Sequence, residues 1–403
     1  MELDFNKCFK IIFLCMSIAA CNPYVKRNKK WMVHFAIVKI LHTILGGFIL
    51  YEFIFVALRG YDINAAILSF VKTSIYIIIV CQYITLNLYR SSLLVLMENV
   101  KKDYESSKSM PKEEQDIIEE YAGKCSRLCS LWLAVPVSGV ISFYMRTFIL
   151  MGLSLNSGQF KIPEFLDSTY PEFIESNKEN TFVAWALYIM YAYYSTYTGF
   201  IYEAFTPVGP FFMIHACGQL ELARKRIDDL QKVHDMEEMA SKLKEIILLL
   251  HYIYRYSFDF YNFIASILMF AGFTRTLYMC IYIRFASTIP TKFRELPINK
   301  LKKIIKCHLC EKRYYSIRLG YLEFSYGKIR SMFFLSKGEE VRQALYACGW
   351  EKFNDRRIRT TIMIMMMRAN KPIVICTVFC TLCLETFADV RLLLSIYFIY
   401  NLS

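Results

Sequence analysis

Residues 373–403 read IVICTVFCTLCLETFADVRLLLSIYFIYNLS, and this stretch decides the fold class. From Ile373 to Leu402 it is long and apolar enough to span a bilayer, which takes about 20 apolar residues in helical form. Thr377, Thr381, Glu385 and Asp389 recur every four residues inside it, so one helical face carries hydroxyls and then carboxylates. An ionisable group in hydrocarbon is costly and faces a neighbouring helix or water. The stripe is therefore either a packing face between helices or the wall of a water-lined conduit. Upstream lie a polar lead-in from Gly338, GEEVRQALYACGW, and a basic segment, EKFNDRRIRTTIMIMMMRANKP.

The rest of the composition agrees. The chain has 403 residues, 56% of them hydrophobic and 16% aromatic, too apolar for an ordinary globular domain. Several further long apolar runs predict an all-α, polytopic membrane protein, because a helix satisfies its own backbone in lipid. The net charge of +13 sits in blocks between apolar runs. That is the positive-inside pattern, which accounts for the charge without a nucleic-acid partner. Most of the cysteines, among them Cys81, Cys129, Cys217, Cys280, Cys376, Cys380 and Cys383, lie in apolar runs, where free Cys behaves as a small hydrophobe. No disulfide framework is expected. Cys307 and Cys310 flank His308 but lack a second ligand pair at zinc spacing, so neither a metal nor a cofactor is expected.

In chain order, CFKIIFLCMSIAAC could pass for a signal-peptide core. The basic cluster Lys26, Arg27, Lys29 and Lys30 follows at once, and cleavage would leave it outside, so a short helix in the inner interface is expected over this amino end, 1–32. Val33–Leu58 and Asn64–Tyr89 are the first two spans, with Glu52 near the far end of one and Lys72 inside the other. Lys72 either snorkels to the surface or faces a polar cavity. Residues 90–127 form a charged cytosolic connector, and Leu128–Met151 a third span that Pro136 and Gly139 invite to kink. Gly152–Asn180 has an acid excess suited to the outside. Thr181–Cys217 is too long for one straight span, and Pro207 and Pro210 should bend it. Its outer half is aromatic, and Trp185, Tyr188 and Ala192 share a face. That face is simple packing or one wall of a pocket for a small apolar ligand.

Residues 219–256 carry a coiled-coil-like seam, Met236, Met239, Leu243, Ile246, Leu250 and Ile253. A cytosolic helix with this seam packs within its own subunit or against a partner. Phe258–Ala286 is a fifth span. Beyond it, Tyr314–Leu335 is the best candidate for a sixth, although it carries Arg318, Glu323, Lys328 and Arg330. Hydropathy alone counts six spans with both ends inside. The basic segment before the final run sends that run outward, which requires seven.

Tyr346 and Trp350 in the lead-in, with Arg368 and Pro372 before the last span, resemble the signature of insect odorant receptors. Glu385, Thr386 and Phe387 after Leu384, then Tyr397 and Phe398 ten residues beyond that Phe, resemble the same family's carboxyl-terminal motif. The Thr-Tyr and Gln-Phe ending of the related gustatory receptors is absent. The resemblance implies seven transmembrane helices, the amino end cytosolic, the carboxyl end extracellular, and long cytosolic helical extensions forming an anchor. On that layout 33–335 holds spans one to six, and 336–403 the signature region and a pore-lining last helix. It further implies a subunit of a cation channel in which four subunits, usually a tuned receptor with a co-receptor, surround one pore in the plasma membrane of olfactory sensory neurons. Carried over, Phe70, Tyr76, Phe143, Tyr144, Phe148, Trp185 and Tyr188 surround a small volatile odorant, and Ser395, Ile399 and Tyr400 approach the gate.

Other classes fit less well. A G-protein-coupled receptor should show an outside amino end and a cytosolic tail, whereas this sequence has a basic amino end and stops three residues after Tyr400. A secondary transporter should show internal repeats with paired broken helices, and none is found. No Ser/His/Asp set, paired catalytic acids or HExxH motif suggests an enzyme.

Overall fold

The computed structural model describes residues 5–57, 63–156, 162, 168–260 and 335–370. Among these there are helices and no strand. The expected last span, with Ser395, Ile399, Tyr400 and the motif residues Glu385, Thr386, Phe387, Tyr397 and Phe398, lies outside the described residues. So do the sixth span, all but the first turn of the fifth, and Cys307–Cys310.

The chain divides into two compact units. The first holds Phe5–Met97 and Ser126–Val208. It opens with α1, Phe5–Ile18, whose Phe9, Ile12 and Met16 are fully buried at the helical spacing of one face. The helix ends with Cys21 N–H donating to Met16 O (2.9 Å) and Ala20 N–H to Ser17 O (3.2 Å). This is a Schellman closure with Ala20 in the left-handed region at φ 55°. α2, Lys29–Tyr51, starts where Asn28 caps Trp31 N–H and continues into one π-helical stretch, Glu52–Ala57. α3 is Ile63–Leu88, separated by a break at Tyr89 from α4, Arg90–Ser107.

α5, Lys112–Asn156, is one helix of 45 residues, so the expected connector and third span are continuous and the helical assignment passes through Pro136 without a break. Pro136 has no N–H to give to the helix ladder, a loss that a helix this long tolerates. After the short α6, Glu172–Glu175, comes α7, Thr181–Phe205, capped by the Asn180 side chain. α7 ends just before Pro207, and α8, Val208–Asp229, begins after it, which places the predicted break at the proline. By length and composition, two described helices can cross a membrane, Lys29–Phe55 and Lys112–Leu155. α1, α2 and α3 all pack on α7, which is the centre of this unit.

The second unit includes Glu98–Cys125 and the described residues after Gly209, with α9 at 236–260, α10 at 335–347 and α11, Arg356–Ala369. The predicted seam is buried here: Met239, Leu243, Ile246, Leu250 and Ile253 are all inside this unit, while Met236 is exposed. The seam thus packs within its own chain. A polar node holds the helices together, because Asp103 Oδ2 accepts from His215 Nε2 (2.8 Å), Tyr252 OH (2.9 Å) and Gln219 Nε2 (3.3 Å). Three donors on one carboxylate oxygen satisfy groups that would otherwise cost free energy to bury. Ion pairs close the periphery, among them Arg226–Glu114 (2.6 Å) and Lys337–Glu221 (2.9 Å).

Candidate functional site

The first unit contains an aromatic-rich cluster. α2 supplies Leu45 and Ile49, the segment before α6 supplies Tyr170, and α7 supplies Tyr191, Ala192 and Tyr194, all buried. Tyr76 of α3, Tyr144 of α5 and Tyr188 of α7 pack against it with Phe48, Ile174, Leu187 and Met190. The predicted residues Tyr76, Tyr144 and Tyr188 therefore meet around one core although they come from three separate helices.

Two local features fix the geometry. Gly46 has no side chain because the Tyr76 ring occupies that space: a Cβ there would stand 2.1 Å from the ring and hydroxyl. The same ring stacks on His42, centroids 5.2 Å apart, and His42 also approaches Tyr194 at 5.4 Å. Tyr144 OH reaches Thr196 Oγ1 (3.1 Å) and donates to Ala192 O (3.3 Å), pinning α5 to α7. His42 is buried, and its Nδ1 has no hydrogen-bond partner among the described residues. A buried polar atom without a partner is costly and is suited to pairing with a ligand polar group in an otherwise apolar site.

Beside the cluster Lys72 does not snorkel but turns inward to polar partners. Its Nζ donates to Glu52 Oε1 (3.0 Å), Glu52 Oε2 (3.2 Å) and Ser168 Oγ (3.0 Å), and both charged side chains are only 8% exposed. Ser168 is two residues before Tyr170, so this pair anchors the segment that carries a core tyrosine. Lys178 adds a second tie, donating to Ser168 O (3.4 Å) and lying 5.2 Å from the centre of the Tyr170 ring.

The other predicted residues lie apart from this centre or outside the description. Trp185 meets Tyr188 edge to face at 5.8 Å but is 38% exposed. Phe148 is 61% exposed, so the cluster does not include it. The side chains of Phe70 on α3 and Phe143 on α5 are outside the described residues. In the lead-in, Tyr346 is exposed, Trp350 opens a 3-10 turn after Gly349 (φ 77°), and Arg368 lies over the Tyr254 ring at 4.6 Å.

A family model described as 7tm Odorant receptor matches residues 62–291 and 335–392, well over half of the chain. The chain belongs to the odorant receptor family. This odorant receptor shares its fold with the solved insect olfactory receptor OR5 from Machilis hrabei: TM-score 0.70 at 16% identity, over 98% of this chain and 97% of that one. The same receptor in complex with eugenol matches at TM-score 0.70 and 16% identity, over 99% of this chain and 98% of that one. No curated protein matches the sequence. The family is one of multi-pass membrane receptors and not of enzymes.

Sequence reasoning does not single out His42, Leu45, Gly46 or Ile49, and Tyr191 and Tyr194 fall unmarked within the aromatic outer half of 181–217. A signal was present: His42, Leu45, Gly46 and Ile49 fall at steps of three, one and three, one face of a helix. Hydropathy hides such a face in a membrane span because every face is apolar.

Proposed function

We propose that this odorant receptor is the tuned subunit of a ligand-gated, non-selective cation channel that binds a small volatile odorant against the aromatic cluster of its first unit. The observation that carries this reading is the meeting of Tyr76, Tyr144 and Tyr188 around one buried core, beside a histidine nitrogen with no described partner. Aromatic walls with one or two polar atoms suit a small, mostly apolar ligand. The eugenol complex of the Machilis receptor supports the same ligand class. Micromolar binding of such a ligand is worth about 8 kcal/mol, and only the part that differs between closed and open states can open a pore.

In this proposal the chain has seven spans, with its amino end in the cytosol and its carboxyl end outside, and works with a co-receptor in a tetramer in the plasma membrane of olfactory neurons. Ser395, Ile399 and Tyr400 line the narrow outer part of the pore, where a ring of apolar side chains blocks ions by dewetting. The exposed apolar edge of α11, Met363, Ile364 and Met367, offers a neighbouring subunit a surface to cover. Voltage-clamp recording from cells expressing the chain, with and without co-receptor, tests the function against a panel of volatiles. Tyr188→Ala should weaken odorant potency without lowering maximal surface expression, and Ile399→Ser should raise current without ligand. An odorant-evoked signal that persists with no membrane current, or an amino-terminal tag labelled on intact cells, would refute the channel reading.

A further inference from the structure

Between Asp4 and Glu52 the sequence holds no acidic residue and seven basic ones. Four of these, Lys26 and Arg27 on the link between α1 and α2 and Lys29 and Lys30 at the start of α2, are exposed, and none makes an ion pair among the described residues. The cations of α8 are different, since Arg224, Lys225 and Arg226 each face carboxylates. The link is also held in place. Arg90 donates to Pro23 O and Val25 O, both at 2.8 Å, Asn22 Nδ2 donates to Ser17 Oγ (2.8 Å), and Tyr24 N–H donates to Asn22 Oδ1 (2.9 Å). Arg27 lies over the Trp31 ring at 5.1 Å.

This fixed cationic surface has an apolar border. Tyr24, Val25, Met32 and Val33 are exposed around it. Lys29 is the first residue of a helix long and apolar enough to cross a membrane, so the four cations stand at headgroup depth. Juxtamembrane cations attract acidic lipids, at about 1 kcal/mol each. A surface already ordered by hydrogen bonds loses little further entropy on binding.

We propose that residues 24–33 form a docking surface for the acidic headgroups of the lipid leaflet around the α1–α2 link. The proposal rests on the membrane placement above but not on the channel activity or on which end is cytosolic. Lys29 and Lys30 supply the charge nearest the hydrocarbon, Lys26 and Arg27 extend it, and the apolar border meets the glycerol-proximal part of the acyl chains.

The test uses the full-length protein in vesicles of phosphatidylcholine containing brominated phosphatidylserine or brominated phosphatidylcholine. Quenching of Trp31, taken as the difference between wild type and Trp31→Phe, reports the lipid at the link. Brominated phosphatidylserine should compete about fivefold better than phosphatidylcholine for each cation engaged, and less well in high salt. Lys29→Gln with Lys30→Gln should cut the preference about 25-fold, the share of two cations, whereas Lys29→Arg with Lys30→Arg should retain it and show that the fold is intact. Equal quenching by the two lipids in wild type would overturn the proposal, as would a preference that the Gln pair leaves unchanged. Stronger protection of Trp31 by soluble polyglutamate than by phosphatidylserine would assign the surface to an acidic protein and also overturn it.

Discussion

Lys72→Met should strongly destabilise the first unit, and Lys72→Met combined with Glu52→Leu should recover most of the loss. In the native chain the Lys72 ammonium satisfies both Glu52 oxygens and the Ser168 hydroxyl, with both charged side chains 8% exposed. Removing the lysine leaves a buried carboxylate without its cation, which costs about 3–5 kcal/mol. Replacing both members by apolar groups removes the orphan, and such swaps of buried pairs are often near neutral. The coupling energy of the cycle should therefore be about 3 kcal/mol. For a unit of this size each kcal/mol moves the midpoint by about 2–4 °C, so the single variant should melt roughly 6–20 °C below wild type. Thermal unfolding of the purified full chain at one fixed scan rate, followed by tryptophan fluorescence, reads all four members of the cycle. A Lys72→Met midpoint within about 2 °C of wild type would mean the pair is solvated and the burial argument wrong. A double variant as unstable as the single one would place the loss in packing around the lysine stem instead.

Other outcomes follow from the same geometry. Gly46→Val should push the Tyr76 ring off His42, because even a Cβ would meet that ring at 2.1 Å; odorant potency should fall about tenfold, one or two kcal/mol of binding, and unchanged dose–response curves would remove Tyr76 from the site. Burial alone would raise the Glu221 pKa, yet hydrogen bonds from Arg224 and Lys337 hold it below the usual 4.5. The folded state thus binds this proton less readily than the unfolded one, and the stability gained is present above pH 4.5 and lost as pH falls through the depressed value. The melting advantage of wild type over Glu221→Gln should accordingly shrink below about pH 4, and a constant advantage would contradict the assignment. Ala20→Gly should stabilise the α1 terminus by about 1 kcal/mol, since glycine adopts the left-handed conformation without the Cβ clash; a lowered midpoint would show that the Ala20 methyl packs usefully. Leu243→Asp places a charge in the buried seam, costing several kcal/mol, and should abolish folded chain even when expressed without a partner. Normal yield of the single chain with failed assembly would return the seam to a role between subunits.

The membrane class and the α-helical architecture were legible in the sequence because both follow from local composition. Runs of about 20 apolar residues with basic blocks between them can be read without knowing any contact. The break at Pro207 was legible for a similar reason, since proline removes a backbone donor wherever it stands. Pro136 shows the limit: the same chemistry lies within an unbroken α5, because a long helix can lose one hydrogen bond when its remaining bonds and neighbours hold it.

The site was only partly legible. Aromatic spacing along α7 singled out Tyr188, and the odorant receptor resemblance added Tyr76 and Tyr144, but no sequence rule separates a buried aromatic from the exposed Phe148 within apolar spans. In a membrane segment lipid and core are both apolar, so hydropathy carries no signal for which face turns inward. The seam of α9 was visible as a pattern, yet whether it met its own chain or another was not, because periodicity specifies a face and not its partner. Sequence by itself determined the solvent of this protein, the helical answer to it and the charged blocks between its apolar runs. Only the tertiary structure brought Lys72 to Glu52 and Ser168 and set Tyr76 over Gly46, since those meetings join segments distant in sequence and depend on packing that no local rule contains.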